Sequence, residues 1–239
     1  IELMLFATVG VSELRRATTT PSVFLEMDGE DQLEWTDELA GRTVWPPADS
    51  PAVCLLDTGV NRAHALLEPA LAPGDTLAVV AAWGAGDDGG GFIGHGTGMA
   101  GLALHGDLVH ALAHANPLTL SHRLESVKLL PPPGLPANDP QSFGPITQAA
   151  VSTIEIVQPL RQRAFCLSVT NDSVAGSKPT TWSAAVDQAA AGAMPGDEEA
   201  PKRLVLVSAG NAPPVMNIAE LLDADQHPIE DPAQAWNAI

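Results

Sequence analysis

Five short runs constrain this chain most: Ala52–Leu56, Leu77–Ala82, Val127–Leu130, Ala164–Val169 and Leu204–Val207. Each is close to continuous in apolar residues and does not alternate. A strand of that kind must be covered on both faces, as it is inside a parallel sheet. Helical periods separate the runs. Ile146, Ala149, Ala150, Ile154 and Val157 predict one helix face, with Pro145 in its first turn and Pro159 as its stop. Trp182, Val186 and Ala189 predict another, closed by Gly192. Gly98–His105 reads as a short helix. Strand and helix alternate without a tight hairpin signal. This specifies an α/β fold with a mostly parallel central sheet and helices on both faces, in three layers.

The 239 residues allow one sizeable core. The change of texture after Pro51 assigns that core to residues 51–239. Residues 1–50 read as an N-terminal extension, either a prodomain-like segment or an adaptor. Within it, Ile1–Leu5 is a candidate strand. Asp28–Leu39 is an acidic helix with Leu33 and Leu39 as its apolar contacts. Trp45–Pro51, rich in proline, is a linker. The formal net charge of −18 disfavours nucleic acid and anionic membrane as partners. No run of 18 apolar residues is present to span a bilayer. Ile1–Gly10 is apolar but has neither a basic flank nor a cleavage pattern. The chain begins at Ile1, so it is expected to be a piece of a longer protein, and secretion stays open. Cys54 and Cys166 sit in apolar runs without metal-ligand spacing. They favour buried thiols and a reducing, cytoplasmic compartment.

In open parallel sheets, ligands bind at the carboxyl ends of the strands. Three strand ends carry polar residues of a coherent kind. Asp57 closes the run Leu56-Asp57-Thr58-Gly59-Val60, and an aspartate there needs a partner. His95 lies in Gly94-His95-Gly96-Thr97-Gly98-Met99-Ala100-Gly101, where small neighbours let the ring approach another strand end. Asn211 follows Val207-Ser208-Ala209-Gly210 and could aim its amide at a developing negative charge. Each string alone fits an ordinary turn residue.

Together, in this order, the three motifs resemble those of the subtilisin-like (subtilase) serine proteases. Asp57 and His95 are 38 residues apart, and His95 and Asn211 are 116 apart. The resemblance covers roughly residues 50–239 and implies the three-layer fold of that family. It implies His95 as general base and acid, Asp57 as the group that orients it, and Asn211 as an oxyanion donor. Ser126–Leu130 resembles the family's substrate-edge strand, so Leu129 and Leu130 are expected along the substrate. Leu167–Thr170 resembles the strand end lining the pocket for the substrate residue before the cut. Ser168, Val169, Thr170, Ala209 and Gly210 are expected to flank that pocket. The partner implied is a peptide or protein substrate, and no cofactor is required.

Two departures stand out. Gly98 occupies a position where the family often has a second histidine. No serine follows Asn211, and Ser173, Ser177, Ser183 and Ser208 all precede it. The nucleophile is therefore expected beyond residue 239, which would leave these residues inactive and the fold incomplete at its C-terminus. An uncovered sheet edge beside 204–208, with self-association, is the matching expectation. The family sheet also implies that the strand near 127–130 separates Cys54 from Cys166, too far apart for a disulfide. Calcium binding is common in the family, and Asp87 and Asp88 are candidate ligands. The sequence shows no ligand set for it, so no metal site is assigned. The glycine-rich stretch Gly84–Gly91 otherwise reads as a mobile link into the histidine motif. It lacks the Lys-Ser/Thr ending of a phosphate-binding loop. The remaining alternative is a protease-like module that binds extended peptides without cutting them.

Overall fold

A computed structural model describes residues 22–171, 179–192, 202–208 and 210. The elements are, in order, α1 (Ser22–Leu25), α2 (Gly29–Arg42), β1 (Thr43–Val44), β2 (Ala52–Asp57), β3 (Thr76–Ala78), α3 (His95–His105), α4 (Leu108–Leu112), β4 (Leu118–Thr119), β5 (Arg123–Lys128), α5 (Phe143–Val157), β6 (Arg163–Leu167), α6 (Thr181–Ala191) and β7 (Leu204–Val207). The candidate strand at Ile1–Leu5 lies outside the described residues. Five strands form one sheet in the order β3-β5-β2-β6-β7, and every pairing in it is parallel. β1 and β4 form a separate parallel pair. No helix among the described residues is long and apolar enough to cross a membrane.

The pleat sorts side chains onto two faces. Cys54 and Leu56 of β2, Val127 beyond them on β5, and Phe165 and Leu167 of β6 pack with Ala150, Val151 and Ile154 of α5 and Ala189 of α6. Leu55 and Leu124 face the other way and pack with Ala100 and Leu104 of α3. The sheet is thus covered on both sides except at the edge strand β7, where Leu204, Leu206 and Val207 are exposed, and each fully buried leucine contributes roughly 1.5–3 kcal/mol. α5 buries Thr147, Ala150, Val151 and Ile154, while Ala149 and Val157 of the expected face are exposed. Thr147 fits in that interface because its Oγ1 accepts from Trp182 Nε1 at 2.9 Å.

Several boundaries differ from those the sequence suggests. β5 starts at Arg123, and all six of its residues are buried, four of them polar. Charged residues with buried partners do not register as an apolar run. β3 stops at Ala78 because a 3₁₀ turn takes over at Ala81–Trp83. α3 begins at His95 rather than Gly98. α2 is capped by Asp28, which accepts from the N–H groups of Glu30 and Asp31. Its Leu39 is buried, whereas Leu33 is 58% exposed and makes no core contact. Arg42, at the end of α2, donates to the carbonyls of Asn116 and Ala111.

The cysteine geometry also needs correction. β2 and β6 are direct neighbours, and no strand separates them. Both thiols are nevertheless free, because Cys54 is in register with Phe165 and Cys166 with Leu55. A one-residue offset puts the two side chains on opposite faces of the sheet.

Candidate active site

β2 ends at Asp57, whose side chain shares a face with Leu55 and points toward α3. The carboxylate is fully buried. Its Oδ1 accepts from its neighbour's backbone, Thr58 N, at 2.6 Å. His95 Nδ1 lies 2.8 Å from the same oxygen. Ser168 Oγ donates to Oδ2 at 2.6 Å. A carboxylate only accepts, so His95 Nδ1 carries the proton and Nε2 is left as the basic nitrogen. The His95 side chain is 44% exposed. A buried acceptor thus holds an imidazole that solvent and ligands can reach.

α3 is fixed against the end of β2 by a second set of bonds. Its N-cap is Gly94, which has no side chain to satisfy the first amides of the helix. Asp87 supplies that function from the glycine-rich loop, where its Oδ2 accepts from Thr97 N at 2.7 Å. The other oxygen of Asp87 accepts from Thr58 Oγ1 at 2.6 Å, and Thr58 Oγ1 accepts in turn from Gly96 N at 2.9 Å. Gly96 is obligatory here, because a Cβ would collide with the carbonyl oxygen of Gly59. The small residues around His95 therefore let the helix touch the strand end.

The glycine-rich loop is tied down along its length and is not a loose link. Val60 N donates to Ala85 O, Gly89 N to Thr58 O and Gly90 N to Pro131 O. Both of its carboxylates are engaged, Asp87 as above and Asp88 with the Nζ of the fully buried Lys128. Among the described residues no cluster of three or more His, Cys, Asp or Glu could hold a metal ion.

The other sequence-derived positions are distributed by the pleat. Ser168 lies on the α3 face, against Asp57. Val169, one residue on, lies on the α5–α6 face and packs on that core. It lines a cavity of about 650 Å³ together with Leu167, Thr170, Trp182, Val186 and Ser208. Gly210 is described, with a φ of 89°, whereas Ala209 and Asn211 lie outside the described residues. Leu129 is buried in the core, and its carbonyl accepts from Asn138 Nδ2 at 2.8 Å. Leu130 is partly exposed. Sequence reasoning named Asp87 and Asp88 only as candidate cation ligands, not as the partners of α3 and Lys128 that they are, and it missed Lys128 and the hydroxyl of Thr58. Thr58 adjoins the aspartate motif and could have been found. The Asp87 and Lys128 contacts depend on how the loop and β5 pack, which no local pattern encodes.

The fold and this site define an α/β domain with a buried carboxylate holding a histidine at the carboxyl ends of parallel strands. The model of the subtilase family (peptidase S8) matches residues 48–239, and the chain belongs to that family. Membership places it among hydrolases of the serine-protease type. Searches of curated proteins and of solved structures each found no match.

Proposed function

We propose that this chain carries the base side of a serine endopeptidase site. The observation that carries the reading is the 2.8 Å contact between His95 Nδ1 and the fully buried Asp57. In this reading Nε2 of His95 removes the proton from the nucleophile and returns it to the leaving amine. Asp57 fixes the tautomer and stabilises the imidazolium, held in place by Thr58 N and Ser168. Asn211 donates to the oxyanion. The cavity beside Val169 and Thr170 takes the side chain before the cut, a role to which the resemblance adds Ala209 and Gly210. The attacking serine is supplied by sequence beyond residue 239, and residues 1–239 do not cut by themselves. The substrate is a peptide or protein, and the reaction calls on no cofactor.

The test is labelling with a fluorophosphonate probe, applied to this chain and to a form extended to the end of its reading frame. The expected result is labelling of the long form alone, abolished by His95→Ala. A folded long form that stays unlabelled would overturn the reading.

A further inference from the structure

We infer that His110 and His114 form a two-imidazole site for a divalent transition-metal ion of the zinc, nickel or copper kind. The inference does not depend on the peptidase reading, since neither residue belongs to that site. His110 lies in α4, and His114 follows it by four residues, just past the helix end at Leu112. That spacing makes two side chains neighbours on a helical turn. Their ring centres are 4.6 Å apart, with the planes tilted by 46°. An ion about 2.0–2.1 Å from one nitrogen of each ring sets the ring centres roughly 4.5–5 Å apart, at bond angles of roughly 90–109°. The observed spacing falls in that range.

One of the two rings is already set for ligation. His114 Nδ1 lies 3.0 Å from the carbonyl oxygen of His110. A carbonyl only accepts, so Nδ1 donates and Nε2 keeps its lone pair. Metal-bound imidazoles are commonly fixed in this way, through their second nitrogen. The backbone around His114 is held in turn, because Arg42 donates to the carbonyls of Ala111 and Asn116. His110 is exposed, so its ring can turn to share the ion. His114 and Glu34 of α2 line the same hollow, which puts a carboxylate on the approach of a cation. Arg42 lines it too, but is paired with Glu38 at 2.9 Å. Nitrogen donors select zinc, nickel and copper over calcium and magnesium, which take oxygen. Among the described residues no third His, Cys, Asp or Glu joins the pair. Water takes the remaining positions on the ion, and the site is exchangeable rather than closed and structural.

The test is titration of the full chain with zinc chloride, followed by calorimetry, and with copper(II), followed by broadening of the histidine ring signals in NMR. Zinc is expected to bind one strongest site. Copper(II) is expected to broaden His110 and His114 before His64, His95 and His122. His110→Ala and His114→Ala should each weaken zinc by at least roughly 10- to 100-fold, the loss found when a group that only orients a metal ligand is removed. His64→Ala should leave zinc affinity unchanged, and calcium should not compete. Both positions are exposed, and an amide spectrum unchanged away from α4 checks that each variant is folded. Zinc affinity that survives both substitutions would overturn the inference, as would copper broadening that starts at another histidine. A loss on one substitution alone would mean a single imidazole and would overturn it equally. Each of these outcomes leaves the peptidase reading intact.

Discussion

At the amino ends of the strands, Glu125 accepts from both Arg161 and Arg163, and Arg161 also reaches Asp75 at 2.7 Å. Glu125 and Asp75 are buried, and two arginines balance two carboxylates. Three residues further along the same strand, Lys128 is equally buried, but its partner Asp88 is 48% exposed. Its register neighbour Asp57 is buried and bonded to a histidine that is 44% exposed. One end of the sheet closes its charges on one another. The other end leaves each buried charge facing a group that reaches solvent. The closed network leaves no group free for chemistry, whereas the open arrangement leaves a basic nitrogen available. The contrast separates residues that hold the fold from residues that serve the site.

The strongest attempt to break that contrast is Glu125→Gln. It leaves Arg161 with Asp75 but Arg163 with the Gln158 carbonyl and no carboxylate, and unpairing a buried ion pair costs about 3–5 kcal/mol. Urea unfolding should show a loss of that size. A loss below about 1 kcal/mol would mean that water enters this end of the sheet and that the network is not closed.

Next in size is Ser168→Ala at the open end. Asp57 Oδ2 then loses its hydroxyl donor inside the protein, and a buried charged acceptor left short of a partner costs about 1.5–3 kcal/mol. The same unfolding measurement applies, with Val169→Thr as a neighbour that faces the other core. An unchanged midpoint for Ser168→Ala would show that the hydroxyl is dispensable and that Thr58 N and His95 suffice to position the carboxylate.

What the sequence made legible follows from this division. Asp57 and His95 could be found because each ends or opens an element within a short local string. The α/β class was legible because five runs are apolar on both faces. The bonds of Asp87 to α3, the contact of Lys128 with Asp88 and the direct contact of β2 with β6 were not legible. The first two act through partners 10 to 40 residues away, and strand order depends on how the crossovers pack. Ser168 was found as a site residue through resemblance, but its direction follows from the pleat and requires the register with Asp57. The buried charges of β5 hid its first half, since apolarity marks a buried strand only where polar residues lack buried partners.

A third test compares two histidines on one helix. His95 opens α3 at the open end. His105 closes it, with Nε2 bonded to Leu66 O at 2.8 Å and Nδ1 buried with no hydrogen-bond partner among the described residues. Burial pushes the His105 imidazole below its ordinary value of 6.5, and the neighbouring His64 and His122 push the same way, against the Leu66 carbonyl. The folded protein therefore keeps His105 neutral where the unfolded chain takes up a proton. Stability should be full above about 6.5 and fall as pH drops from there through the lower folded value. His105→Gln should flatten that part of the profile in thermal melts taken across the range. A profile of the same slope in the variant would assign the acid sensitivity to other groups.

The smallest expected effect belongs to Lys128→Met, and it sharpens the comparison most. Methionine fills a similar volume and removes a charge that is otherwise desolvated. Asp88, already half in water, can remain ionised without its partner. The expected change in unfolding free energy is within about 1 kcal/mol, in either direction, although Lys128 is as buried as Glu125. A loss matching that of Glu125→Gln would make the two ends of β5 equivalent, and the distinction between closed and open charge would not hold. A near-neutral result leaves stability unable to account for a lysine at this position. Its reason would then lie in the charge it places beside Asp57 and in the loop it anchors through Asp88, whose Gly90 donates to the Pro131 carbonyl.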